Sequence, residues 1–142
     1  MKQQILVIDS SVAIKWLHQE NENDIDLVDR IMKKAQNNLI ELVMPELSKY
    51  EISNALLYKK LELPILLRLC ERFYTLPLKF IPEDLSVAEM TMEIAYQNNM
   101  TYYDASFIAL AKKMSGSLVT ANQKHQKKKI KGIKILALKD YW

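Results

Sequence analysis

Ile5-Leu6-Val7-Ile8 is a short, wholly apolar run rich in β-branched residues, and Asp9-Ser10-Ser11 stops it at once. A run of this kind reads as a strand buried on both faces, the pattern of a parallel sheet covered by helices. Glu41–Met44, Lys79–Ile81, Ser117–Thr120 and Ile133–Leu136 repeat the theme more briefly, with Pro45 closing one of them. Between these runs the apolar spacing turns helical. Val12–Leu17 follows the first strand, with Asp9, Ser10 or Ser11 as its cap. Asn23–Asn37 carries apolar residues at 25, 28, 31, 32 and 35. Further helices are predicted over Glu46–Lys60, Pro64–Tyr74, Glu83–Gln97, Tyr103–Met114 and Asn122–Lys128, Pro64 suiting a first turn. Short apolar strands alternating with helices predict a helix-rich three-layer α/β/α sandwich around a mainly parallel sheet of four or five strands. One domain over residues 1–142 is the expectation for this length.

Scarce residues exclude several chemistries. The only glycines are Gly116 and Gly132, far too separated for a Walker loop or a G-x-G-x-x-G turn. Cys70 is the one cysteine, so an intramolecular disulfide is impossible and a reducing compartment fits. His18 and His125 lack Cys or His partners at zinc-ligand spacing and read as surface residues. Apolar runs are too short for a membrane span, and no secretory signal follows Lys2, so a cytoplasmic location is expected. The net charge of +3 permits a polyanionic partner without demanding one.

Four polar positions fit this pattern awkwardly. Asp9 falls at the carboxyl end of the first strand, the edge where open α/β sheets bind ligands. Taken alone it serves equally well as a helix cap. Leu47, Ala55 and Tyr58 lie at −4, +4 and +7 from Glu51, with Asn54 at +3, which places a carboxylate and an amide on an apparently core-facing stripe. Asp104 opens the Tyr103–Met114 helix, where a first-turn acid needs no function. Asn122 follows the Ser117–Thr120 strand and is also a natural N-cap. Together the four bring oxygen ligands toward one crevice without His or Cys, a set suited to Mg²⁺ or Mn²⁺.

Val7-Ile8-Asp9-Ser10-Ser11-Val12, Glu51-Ile52-Ser53-Asn54-Ala55-Leu56, Tyr103-Asp104-Ala105 and Leu118-Val119-Thr120-Ala121-Asn122 resemble, in order and spacing, the PIN-domain nucleases. The likeness is nearest to the VapC-type toxins of prokaryotic toxin–antitoxin pairs and extends over essentially the whole chain. The resemblance implies a metal-dependent ribonuclease whose acids gather at the carboxyl edge of a parallel sheet. Asp9, Glu51 and Asp104 match the family's first three acids. Ser11 matches a small hydroxyl residue that orders the first loop, and Thr120 the hydroxyl of a T-A-D motif. Asn122 departs from the usual fourth aspartate, which puts a second metal site in doubt. On this reading Asp9 and Asp104 hold Mg²⁺ or Mn²⁺ directly, Glu51 ligates it through water or positions the attacking water, Asn122 holds a ligand water or a second ion, and Asn54 supports the site. The resemblance further implies an RNA substrate, a homodimer, and an antitoxin whose C-terminal segment covers the site. The competing reading is a PIN-like module that binds RNA or protein with little or no catalysis, for which Asn122 is the main support. Phosphotransferases of the haloacid dehalogenase type need an Asp where Ser11 stands, and phospho-receiver domains need further acids there.

Lys124, Lys127, Lys128, Lys129, Lys131 and Lys134 crowd together after the last motif. They read as an RNA-phosphate dock or as a solvated charge run, with Lys124, Lys127 and Lys128 nearest the site. Glu20, Glu22, Asp24, Asp26 and Asp29 read as a solvated helix start. Trp16, Tyr102 and Tyr103 read as packing residues, with base stacking as the alternative. The seven methionines read as core filler.

Overall fold

The computed structural model describes residues 2–122, 124 and 129–141. Among them, five strands form one parallel sheet: β1 (Gln4–Ile8), β2 (Ile40–Pro45), β3 (Leu78–Ile81), β4 (Ser117–Thr120) and β5 (Lys134–Ala137), in the order β3-β2-β1-β4-β5. Every pairing is parallel; Val7 pairs with Val43 on one side and Leu118 on the other. β1 is therefore central, and Leu6, Val7 and Ile8 are all completely buried. A strand covered on both faces has no polar side to show, which is why its sequence does not alternate.

Helices α1 (Ser10–Leu17), α2 (Ile25–Gln36), α3 (Ser48–Tyr58) and α4 (Leu63–Thr75) pack with one another. α5 (Leu85–Asn98) pairs with α6 (Tyr102–Lys113), and α6 lies against β1, β2 and β4. Seven consecutive residues of α6, Ala105–Ala111, are buried, because the sheet covers one side of the helix and α5 the other. The observed boundaries of these elements lie within two residues of the expected ones, and β4 matches at both ends. α3 starts at Ser48, with Glu46 and Leu47 forming a turn instead. The helix expected over Asn122–Lys128 falls mostly outside the described residues.

Gly116 shows why one glycine is needed. Its backbone passes β1 so closely that a Cβ would stand 2.7 Å from the Ile5 carbonyl oxygen. The Gly116 amide also closes the end of α6 by donating to the Ala111 carbonyl at 2.9 Å.

Several expectations change. The stripe through Glu51 is not the core face of α3: Ser48, Ile52 and Leu56 are buried, whereas Asn54, Ala55 and Tyr58 are exposed. The helix is rotated so that its longer aliphatic side chains reach the core, and Glu51 sits at the margin. Glu22 is not simply solvated. It accepts from the buried Lys15 ammonium at 2.8 Å and has Lys59 at 3.7 Å, and Lys15 also donates to the Asn23 carbonyl at 3.0 Å. A lysine so deeply placed requires such partners. His18 is half-buried instead of lying on the surface, and Met92 is exposed instead of filling the core. Among the described residues, no helix is long and apolar enough to cross a membrane.

Candidate active site

The sheet reverses its winding between β1 and β4, since the chain builds β2 and β3 on one side of β1 before crossing back to lay β4 on the other. At such a switch point the loops leaving the two strands diverge and open a crevice at their carboxyl ends. Asp9 and Thr120 stand there.

Asp9 occupies the N-cap position of α1, yet its side chain makes no capping hydrogen bond. Its Oδ2 instead accepts from the Ser11 hydroxyl at 2.8 Å and from the Thr120 hydroxyl at 2.6 Å. The carboxylate is 4% exposed and Thr120 is fully buried. Ser11 and Thr120 extend this network: their oxygens accept from the Ala121 and Asn122 amides at 3.1 Å and 3.0 Å. The Asp9 amide meanwhile donates to Val119 at 3.0 Å. One acid, two hydroxyls and three backbone amides thus lock the loop after β1 to the loop after β4. The cap role that sequence alone allowed for Asp9 is displaced by these contacts across the sheet.

Glu51 reaches the same neighbourhood through Ser10, whose hydroxyl donates to its Oε1 at 3.0 Å. Asp104 is the third residue of α6 and is half-buried; its amide is capped by the Thr101 hydroxyl at 3.1 Å. Thr101, not Asp104, is the N-cap residue. The Asn122 side-chain oxygen accepts from the Lys124 amide at 3.0 Å, so its ordinary turn-forming role is in use. Asn54 is exposed on α3, one turn beyond Glu51. Lys124 is exposed, as are Lys129, Lys131 and Lys134; Lys127, Lys128 and His125 lie outside the described residues.

The structure therefore joins Asp9, Ser11, Thr120 and Asn122 in one network and links Glu51 to the residue beside Asp9. It does not present the three acids as a ready cage: among the described residues, no group of three His, Cys, Asp or Glu is placed to hold a metal ion. Ser11 and Thr120 donate to Asp9, and Ser10 donates to Glu51. The donor chemistry still suits a hard cation, because Mg²⁺ keeps several waters and commonly takes only one or two carboxylates.

On the β2–β3 side of the same edge lies a feature that sequence reading missed. A mainly apolar cavity of about 220 Å³ opens between the ends of β2 and β3 and the first turn of α6, its walls including Leu47, Ile81, Val87, Leu110, Tyr102 and Tyr103. The Tyr102 hydroxyl donates to the Glu83 carboxylate. Burial, reinforced by the Glu83 carboxylate, pushes the Tyr102 phenol from its ordinary 10.0 up to about 12. Trp16, by contrast, is a core residue, donating its indole N–H to the Val28 carbonyl at 2.7 Å. The paired Tyr102-Tyr103 was the one available signal for the cavity.

Fold and site together define a parallel α/β domain with a buried aspartate at the switch point of its sheet. A family model described as PIN domain matches residues 6–131, and the chain belongs to the PIN-domain family. No curated protein matches the sequence. Among solved structures, VapBC2 from Rickettsia felis, bound to a DNA fragment from its promoter, is similar with a TM-score of 0.72 and 14% identity, covering 94% of this chain and 98% of that one. FitAcB from Neisseria gonorrhoeae gives 0.66 and 18%, covering 95% and 99%. VapC20 from Mycobacterium tuberculosis, a sarcin-ricin loop cleaving toxin, gives 0.60 and 10%, covering 82% and 87%. At these identities the shared property is the fold.

Proposed function

We propose that this protein is a Mg²⁺- or Mn²⁺-dependent endoribonuclease that hydrolyses phosphodiester bonds and acts as the toxin of a toxin–antitoxin pair. The observation that carries the reading is Asp9, a carboxylate buried at the sheet's switch point and held by Ser11 and Thr120. PIN-domain membership supports it, as does the likeness of fold to VapC20 and to the VapBC2 and FitAcB assemblies.

Asp9, Asp104 and Glu51 would hold the cation, with Asn122 beside them. A bound divalent ion would supply a low-pKa water and neutralise charge on the phosphate. The chain's own task is positional. Ser11 and Thr120 fix one oxygen of Asp9, which leaves the carboxylate a single orientation. Ser10 steadies Glu51. Lys124, with Lys127 and Lys128, would dock the RNA backbone through a salt-sensitive contact. An antitoxin covering the site, a homodimer, a single domain over residues 1–142 and a cytoplasmic location complete the proposal.

One observation favours a second reading, a binding module with weak or no catalysis: the Asn122 side-chain oxygen is engaged by the Lys124 amide. Cleavage of a structured RNA pool in Mg²⁺, in Mn²⁺ and in chelator separates the two, with Asp9→Asn and Asp104→Asn prepared identically. Metal-dependent cleavage lost in both variants supports the nuclease. RNA binding without cleavage supports the module, and equal cleavage by all three proteins rejects the site.

A further inference from the structure

The cavity at the β2–β3 end lies between the turn that leads into α3 and the first turn of α6. Both lead to acids of the proposed site: the Glu51 amide donates to the carbonyl of cavity-wall Leu47 at 3.3 Å, and Tyr103 precedes Asp104 directly. Three properties constrain what could enter. First, the walls are apolar and the size is right for a flat ring; an apolar cavity of ~150 Å³ admits benzene, and this one is about 220 Å³. Second, Tyr103 stands at the rim 60% exposed, an aromatic face open to stacking. Third, beside the hydroxyls of Ser106 and the two tyrosines, the lining carries the carboxylates of Glu46 and Glu83. They would repel a phosphate but accept a hydrogen bond from an amine. Glu46 is partly offset by Lys49 at 3.5 Å. Glu83 is oriented by the Tyr102 hydroxyl, which takes one of about four acceptor positions on a carboxylate.

We propose that this cavity receives one unstacked base of the RNA chain and prefers bases that carry an exocyclic amine. Adenine, cytosine and guanine offer such an amine to Glu83; uracil offers carbonyls in its place. Tyr103 would stack on the base while the sugar-phosphate backbone stays outside, running toward Asp104. Single-stranded RNA is read in this manner, by stacking on aromatic side chains and hydrogen bonds to base edges. The inference deepens the ribonuclease reading and rests on it for the identity of the ligand, but its test does not depend on cleavage.

The test is fluorescence anisotropy with labelled five-nucleotide RNAs, A5, C5 and U5, titrated with the full chain in chelator at low salt. A5 and C5 should bind roughly tenfold more tightly than U5, the scale of one hydrogen bond to a charged group. Tyr103→Ala should weaken A5 and C5 by roughly tenfold or more, the scale of one stacked base, and Tyr103→Trp should restore them. Glu83→Gln should bring A5 and C5 within about twofold of U5. Equal affinity for all three RNAs, no RNA binding at all, or indifference to Tyr103→Ala would overturn the proposal. So would loss of self-association in Tyr103→Ala without any base preference, since a second copy would then be the occupant. RNA cleavage with no base preference removes this inference and leaves the nuclease standing. Base preference without cleavage in any metal does the reverse.

Discussion

The two halves of the sheet's carboxyl edge are built from opposite materials. At β1 and β4 the strands end in Asp9 and Thr120, and the loops are tied by hydroxyls and amides into a buried polar network. At β2 and β3 they end in Pro45 and in Ile81 followed by Pro82, and the loops enclose an apolar cavity. Proline has no N–H to satisfy, so these loops leave fewer polar groups to pair and can close around empty apolar space. The polar half must be fully paired to be stable at all. The contrast shows how one edge can hold a carboxylate rigidly and, close by, keep a receptive hollow.

The largest expected effect lies in the polar half. Asp9→Asn should lower RNA cleavage by about two to three orders of magnitude, measured as initial rates in Mg²⁺, because on the proposed reading it removes a carboxylate that holds the cation. An unchanged rate would break the assignment of that half. Asp9→Ala should also destabilise the fold by about 2–3 kcal/mol in urea denaturation, since the buried Thr120 hydroxyl and that of Ser11 lose their acceptor. Glu83→Ala, its counterpart in the other half, should cost under about 0.5 kcal/mol because Glu83 is exposed. Comparable losses in the two variants would erase the distinction. Thr120→Val should fall between them, at about 1–2 kcal/mol, with Asp9 keeping only Ser11 as its hydroxyl donor.

The smallest effect is in pH. Tyr102 has a folded pKa of about 12 against an ordinary 10.0. The folded state therefore holds that proton longer. Its contribution to stability is complete below pH 10 and is lost as pH rises from 10 through 12. Wild type should lose more stability across that window than Tyr102→Phe, and a 295 nm titration should show one late phenol that the variant lacks. Identical curves would mean that neither the burial of the Tyr102 phenol nor its Glu83 contact persists in solution.

The strands and helices were legible because their signals are local. Ile5–Ile8 declares a doubly covered strand, and Asp9-Ser10-Ser11 declares its end. The site was half legible. Asp9, Ser11 and Thr120 were named from motif resemblance, and the fold joins them through bonds spanning as many as 111 positions of sequence separation. Glu51 is named by the motif as well as by helical spacing, and only the spacing argument fails. Its supposed apolar stripe of Leu47, Ala55 and Tyr58 lies largely in solvent, because helical spacing shows which residues share a face and not which way that face turns. Asn122 was doubtful on charge grounds, and its turn-forming bond to Lys124 adds a geometric reason.

By itself the sequence determined the element order, a first strand covered on both faces, the family resemblance and the acids worth watching, since periodicity and motif spacing are carried by the chain alone. Only the tertiary structure decided that Asp9 bonds across the sheet and does not cap its own helix, and that α3 turns Ile52 and Leu56 inward. It alone decided that residues from Pro45 to Leu110 close around a cavity. These outcomes depend on which distant groups become neighbours. The burial and hydrogen bonding gained there outweigh the local preference each residue shows on its own.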